Sequence, residues 1–269
     1  MNPSHADYAH SVRTLILQQS RRAYVGHIGS AMAIADIVSL LYDRVLKAQD
    51  PDDPDRDRVV LSKGHAALAL YCALHLNGYI TASDLDTYCG DDSLLGVHPE
   101  PELKGVDFAT GSLGQGLSVG AGAALAARIQ GSKRRVFVVN SDAECNEGSI
   151  WEAVMFAGHH KLSNLVSIVD MNAQQAFGYT RDVIDMEPMA EKWRAFGWDV
   201  HEVDGHDVDA MEQSVKGLNF KSGPPHVMLA RTTFGRGVSY MESEIKWHYL
   251  PIDEELYRQA LQEIEVLRR

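Results

Sequence analysis

The chain has 269 residues, 45% of them hydrophobic, and 25 basic against 37 acidic side chains give it a formal charge of −12. That length supports a sizeable core in one α/β domain spanning 1–269, while the acidic balance argues against nucleic acid or an anionic membrane surface as partner. The polar start, Met1 to Asp7, does not read as a signal peptide, and no apolar run reaches the roughly 18–20 residues needed to cross a bilayer, so a cytoplasmic location is expected. Cys72, Cys89 and Cys145 are odd in number and widely separated, which fits reduced thiols better than a disulfide framework or a metal-ligand spacing.

In chain order, apolar positions at helical spacing (Val12, Leu15, Ile16) predict a helix over 7–25. Ser30 or a neighbour offers a cap for a second helix running through Leu41 to Val45, and 65–77 forms a third. The segment 80–112, with many Asp, Gly and Pro residues, is an irregular stretch long enough to suggest function. From Gly114 onward helices and strands alternate, with helices near 115–130, 149–161, 187–196 and 207–217 and strands over 136–140, 165–170, 199–203 and 226–231. Apolar strands separated by amphipathic helices predict a parallel β-sheet with helices on both faces. The tail, 252–267, is a charged amphipathic helix with Leu256, Ala260, Leu261, Ile264 and Leu267 on one face, and its predicted role is packing.

Two oxygen-bearing side chains stand just past successive strands. Asp142 follows the strand at 136–140 and Asn172 follows the strand at 165–170. Both are thereby carried to the carboxyl ends of parallel strands, where α/β sheets bind ligands. A hard cation such as Mg²⁺, held by few protein oxygens and completed by phosphate, suits that arrangement. Between them lie Glu147-Gly148-Ser149-Ile150-Trp151-Glu152-Ala153 and His159-His160-Lys161-Leu162. The whole stretch resembles the diphosphate-binding signature of thiamine diphosphate enzymes, usually Gly-Asp-Gly and then Asn at the spacing found here, and the intervening words are similar to those of transketolases. The resemblance implies the thiamine diphosphate-binding fold, thiamine diphosphate and Mg²⁺ as cofactors, and Asp142, Asn172 and Gln174 as the metal-holding residues.

Four histidines lie in distinctive loop contexts: His27 in Gly-His-Ile-Gly-Ser, His65 in Leu-Ser-Lys-Gly-His-Ala, His98 in Gly-Val-His-Pro-Glu and His248 in Lys-Trp-His-Tyr-Leu-Pro. Each resembles a transketolase motif, in the same chain order. Ketol transfer needs groups that exchange protons and donate hydrogen bonds near neutral pH around the reacting oxygens. By resemblance His27, His98 and His248 are the catalytic set. His27 and His248 would face the substrate oxygens and the leaving-group proton, and His98 the donor sugar's hydroxyls. His65 and His248 would lie near the cofactor diphosphate.

His5, His10, His75, His159, His160, His201 and His226 are read as structural, as is His206, placed in a turn that caps the next helix. Thr110-Gly111-Ser112-Leu113-Gly114-Gln115-Gly116 resembles the family's segment against the aminopyrimidine, with Gly111, Ser112 and Leu113 in contact. Ser141, Asp142, Ala143, Glu147 and Asn172 complete the cofactor-binding set that the resemblance implies. Glu147 and Glu152, five residues apart, do not stack on one helical face; the matching glutamates of transketolases lie at a subunit boundary. The run Thr233 to Glu242 is expected to form a loop at the mouth of the site.

The resemblance runs from about residue 10 to residue 255 and is to the diphosphate-binding domain alone. The family's pyrimidine-binding domain, with its cofactor-activating glutamate, and its carboxyl-terminal domain have no counterpart here. The implied assembly is a split transketolase in which a separate polypeptide supplies both, as a heterotetramer. It would transfer a two-carbon ketol unit from a ketose, phosphorylated by expectation, to an aldose acceptor. Ser141 and Ala143 stand where glycines are usual, and if that turn needs positive φ, Ala143 costs about 1 kcal/mol. Ile28 stands where a proline is common. Two alternatives remain: a related thiamine-dependent synthase of the deoxyxylulose-phosphate type, and a non-catalytic scaffold or regulatory subunit, whose main support is Ala143.

Overall fold

The computed structural model describes residues 5–47 and 50–267, apart from the side chains of residues 5 and 6, so the polar start at 1–4 and the side chain of His5 lie outside the described residues. The first helix, α1 (His5–Ala23), is followed by α2 (Ile28–Ala33), α3 (Ala35–Ser39) and a π-helical turn at Leu40–Val45. The sequence pointed instead to one helix capped near Ser30. His27, in the left-handed conformation at φ 63°, precedes α2, and Ser30 is buried inside it with its hydroxyl 2.8 Å from His65 Nε2. Every residue of α2 and α3 is buried, so no polar face marks where one piece ends and the next begins.

Strand β1 (Arg58–Leu61) leads through a 3₁₀ turn at Gly64–Ala66 into α4 (Ala67–Leu76). The stretch 80–112 holds one short helix, α5 (Ala82–Leu85), closed by a capping box in which Asp84 N donates to Thr81 Oγ1 and Thr81 N to Asp84 Oδ2. Then come α6 (Gly116–Ile129), β2 (Val136–Ser141), α7 (Gly148–His160), β3 (Leu165–Met171), a small hairpin of β4 (Gln174–Gln175) and β5 (Gly178–Tyr179), α8 (Thr180–Val183) and α9 (Met189–Ala195). The chain continues through β6 (Asp199–Asp204), α10 (Val208–Gly217) and β7 (His226–Arg231) and closes with α11 (Glu254–Leu267). The four strands expected from the sequence are present, three of them one residue longer than expected. β1 is additional.

The sheet is parallel throughout, in the order β1-β2-β3-β7-β6. Alternate strand residues go to opposite cores, as a pleated strand requires. Phe137, Val139, Val166, Ile168, Met228 and Ala230 join the core beneath α1, α3 and α4, whereas Val136, Val138, Leu165, Val169, Val227 and Leu229 join the core beneath α6, α7 and α9. Both faces are therefore covered by helices, which is why the central strands are apolar at successive positions. Gly120 lets α6 lie directly on β2, since a Cβ there would come within 2.3 Å of Val138 Cγ2. The tail helix starts at Glu254 rather than 252, and of its five apolar positions only Ala260 and Ile264 are buried. It packs against α1, aided by the pairs His10–Glu265 at 3.0 Å and Arg21–Glu254 at 3.3 Å. Among the described residues no helix is long and apolar enough to cross a membrane.

Candidate active site

β2 and β3 are adjacent, with Ser141 opposite Asp170 at their carboxyl ends. Asp142 leaves β2 and caps a 3₁₀ turn at Ala143–Asn146. Its Oδ1 accepts from Ala143 N and its Oδ2 from Ala173 N, both at 2.8 Å, so one carboxylate joins the two strand ends. Burial, then the neighbouring charge of Asp170, pushes its carboxyl up to about 7. Asn172 donates through Nδ2 to Asp170 Oδ2 at 2.6 Å and accepts at Oδ1 from Gln174 N at 2.9 Å.

Asp170 itself is fully buried, ion-paired to the buried Lys63 and hydrogen-bonded by the Thr232 hydroxyl. Glu144, also fully buried, accepts from the Ser62 hydroxyl at 2.5 Å and from Gly114 N and Ser141 N at 2.8 Å each, tying together the segments after β1, before α6 and at the end of β2. Burial pushes the Glu144 carboxyl up while those hydrogen bonds pull it down. Sequence reasoning missed Lys63, Asp170 and Glu144 as parts of the site. The signal for Lys63 was its place two residues before His65; nothing in the pattern marked Glu144 as buried.

The histidine loops converge on the same place from distant parts of the chain. His27 N donates to His248 O at 3.2 Å, and the His65 ring lies 5.5 Å from that of His27 and 6.4 Å from that of His248, centroid to centroid. Gly26 permits the contact, because a Cβ there would meet Tyr249 O at 2.5 Å. His248 stacks against Phe234 at 4.4 Å, and the His98 ring lies against Gly111. Burial lowers all three inner imidazoles. His27 is lowered further by His98, His65 falls well below its ordinary value with help from Lys63, and His248 comes down to about 4 through burial, Lys63 and His27. Burial therefore favours the neutral form of all three rings, which leaves each a lone pair.

A cavity of about 290 Å³ lies between these groups. His27, His65, His98, His248, Gly111, Leu113, Ser141, Ala143, Glu147, Asn172 and Gln174 line it. Asp142 sits behind its wall, between the lining residues Ser141 and Ala143, and Ser112 is exposed and outside the lining. Glu152 is exposed on α7. A larger open groove, about 630 Å³, lies between α1 and the start of α10, but its charged groups Arg13, Asp36, Arg44 and Asp209 already pair with one another. Unspent polar groups also line the smaller cavity: His27 Nδ1, His248 Nε2 and both amide atoms of Gln174 are buried without hydrogen-bond partners, as are His10 Nδ1 and Arg13 Nε beside the larger groove. Buried polar atoms left unpaired in this way favour a polar ligand.

The Asp142 turn does not meet the condition under which alanine would cost stability, and the turn at 204–207 caps α10 as expected. Ala143 lies in a 3₁₀ turn and is not among the residues with positive φ, so its methyl group carries no left-handed strain; Ala173 is the left-handed residue, at φ 63°. The helix after His206 is capped by Asp207, whose side chain accepts from Ala210 N, while His206 bridges Asp36 Oδ2 and Thr233 N at 2.8 Å each. Ile28 is buried, and its loop is held by Gly235 N donating to Gly29 O at 2.9 Å. Cys145 is buried and its thiol is pushed up by burial, which leaves it unreactive.

A family model described as the transketolase, thiamine diphosphate binding domain matches residues 4–264. The chain is 38% identical over 260 residues to the 6-deoxy-6-sulfo-D-fructose transketolase subunit SqwG of a Clostridium species, covering 96% of this chain and 94% of that one. It is 39% identical to an apulose-4-phosphate transketolase subunit of Actinobacillus succinogenes, covering 98% and 99%. The crystal structure of transketolase from Campylobacter jejuni superposes with a TM-score of 0.91 at 32% identity, over 98% of this chain but only 43% of that one.

Proposed function

Since the chain belongs to the transketolase thiamine diphosphate-binding family, we propose that it is the diphosphate-binding subunit of a two-component transketolase, carrying a two-carbon ketol unit from a ketose to an aldose together with a separate polypeptide. The observation that carries this reading is the placement of Asp142 and Asn172 at adjacent strand ends, beside a cavity lined by His27, His248 and Gln174 with unpartnered buried atoms. Relatives of similar length are named as subunits, and the solved transketolase is more than twice as long, which supports a partner that brings the pyrimidine-binding and carboxyl-terminal parts. Leu113, Phe177, Tyr249 and Leu250 are exposed apolar residues at or near the cavity mouth, a surface suited to such a partner. Two such pairs would make a heterotetramer. Cys72, Cys89 and Cys145 are free, which fits work in a reducing compartment such as the cytoplasm.

In this reading Asp142, Asn172 and Gln174 would hold Mg²⁺, a hard cation matched to oxygen donors. Ser141, Ala143, Glu147, His65 and His248 would surround the diphosphate, and Gly111 and Leu113 would meet the aminopyrimidine, with Ser112 beside them outside the cavity lining. Bound thiamine diphosphate would supply the nucleophilic carbon for ketol transfer. The chain's own residues orient the substrate and move protons. His27 and His248, neutral because they are buried, accept a proton from a sugar hydroxyl and return it to the leaving or arriving oxygen. His98, exposed at the cavity edge, hydrogen-bonds the donor's hydroxyls. The partner supplies the activating glutamate.

Calorimetric titration with thiamine diphosphate and Mg²⁺, with and without the partner polypeptide, tests the reading. Uptake by the pair, together with ketol transfer between a phosphorylated ketose and an aldose, is the expected result. An assembled pair that takes up no cofactor would refute it. The transketolase names of the relatives favour ketol transfer over a deoxyxylulose-phosphate-type synthase. The scaffold alternative loses its main support, since Ala143 carries no left-handed strain.

A further inference from the structure

Asp199 and His226 open β6 and β7 as direct partners in the sheet, and His201 lies two residues along β6 on the same face. The three side chains converge. His201 Nε2 and His226 Nδ1 each lie 3.0 Å from the same oxygen, Asp199 Oδ2. His226 is 2% exposed, and its other nitrogen, Nε2, lies 3.3 Å from the carbonyl of Asn219. A carbonyl only accepts, so Nε2 carries a proton, and a ring with one proton has its lone pair on Nδ1. Nδ1 and a carboxylate oxygen then face each other across 3.0 Å, a gap bridged by a second ring proton or by a metal ion. An outer hydrogen bond from a histidine N–H to a backbone carbonyl is also how metal-binding imidazoles are commonly oriented.

We propose that Asp199, His201 and His226 form a binding site for one divalent transition-metal ion of the Zn²⁺ type, separate from the catalytic cavity. The spacing fits. Metal bonds of about 2.0–2.2 Å to imidazole nitrogen and carboxylate oxygen put neighbouring ligand atoms about 2.9–3.4 Å apart for octahedral to tetrahedral angles. Two histidines and one carboxylate select a borderline metal rather than Mg²⁺ and leave coordination positions open to water or to a ligand from outside. The site is reachable, since β6 is an edge strand and the Asp199 and His201 side chains are 44% and 30% exposed. It is also remote. His226 is level with Val166 on β3, six residues before Asn172, or about 20 Å along the strand direction. A bound ion would clip the edge strand β6 to β7 at the end of the sheet opposite the catalytic cavity.

The test is titration of the full chain with Zn²⁺ in excess Mg²⁺, followed by calorimetry and, with Co²⁺ as a probe, by visible absorption. One equivalent bound with micromolar affinity is expected. His201→Gln and Asp199→Asn, both at partly exposed positions, should each weaken it about 10- to 100-fold with unchanged circular dichroism, while His27→Gln should leave it intact. The proposal is overturned if wild type and His201→Gln bind alike, if no binding tighter than millimolar is seen, or if His27→Gln alone removes the bound equivalent.

Discussion

Lys63→Met removes one half of the ion pair at the heart of the sheet's carboxyl end. Lys63 and Asp170 are both fully buried, and the carboxylate would be left with the Thr232 hydroxyl and the Asn172 amide as its remaining donors. Deleting one member of a buried pair strands the other charge, and such changes cost about 3–5 kcal/mol, because desolvation persists while the attraction is gone. An exposed pair gives the contrast. Arg258 and Glu254 lie 2.9 Å apart with side chains 73% and 48% exposed, and Arg258→Ala should change stability by less than about 0.5 kcal/mol. The double variant Lys63→Met/Asp170→Asn neutralises both groups and should recover most of the loss, a coupling that a double-mutant cycle reads directly. Urea denaturation followed by circular dichroism, with the slope against urea compared between variants, measures each term. A loss below about 1 kcal/mol for Lys63→Met, or a double variant no more stable than the single one, would refute the claim that this pair is buried and essential to the floor of the site.

His248 provides a pH signature. Its pKa is lowered to about 4, so the unfolded chain binds its proton more readily; the associated stability is complete above about pH 6.5 and is lost as pH falls toward 4, at most about 3 kcal/mol. His248→Gln should flatten that part of the stability profile, and a profile unchanged by the substitution would contradict the assignment. Asp142→Ala should abolish Mg²⁺-dependent thiamine diphosphate uptake by the assembled pair, whereas His27→Ala should leave uptake nearly intact and slow turnover about 10²- to 10⁴-fold; calorimetry and single-turnover kinetics separate the two effects. Gly29→Ala places a Cβ 2.1 Å from the Phe234 ring, which backs His248. It should destabilise the chain by about 1–3 kcal/mol, measured by thermal unfolding.

The parallel sheet was legible because β2 and β3 are apolar at successive positions, the mark of strands covered on both sides. β1 was not, because four residues beginning with an arginine and half-buried at two positions carry too little pattern. The region 28–45 misled for the opposite reason. It is buried almost everywhere, so hydrophobicity could not show the break at Ile34 or the π-helical turn. In the candidate site, Asp142, Asn172 and the four loop histidines could be singled out because each sits in a distinctive local word. Lys63, Asp170 and Glu144 look like ordinary charged residues in one dimension. Only the fold takes them out of water and so makes their pairing a necessity.

Glu144 gives the departures at its neighbours a physical meaning. Three segments present hydrogens to one carboxylate, and an amide in its place would turn an NH₂ group toward one of those donors. The bend around Asp142 is thus shaped by an acid from below, not by the backbone freedom of flanking glycines. Serine and alanine can occupy the shoulders of that bend as long as the acid beneath stays put. Tolerance to substitution at 141 and 143 and intolerance at 144 are the paired outcomes this arrangement predicts.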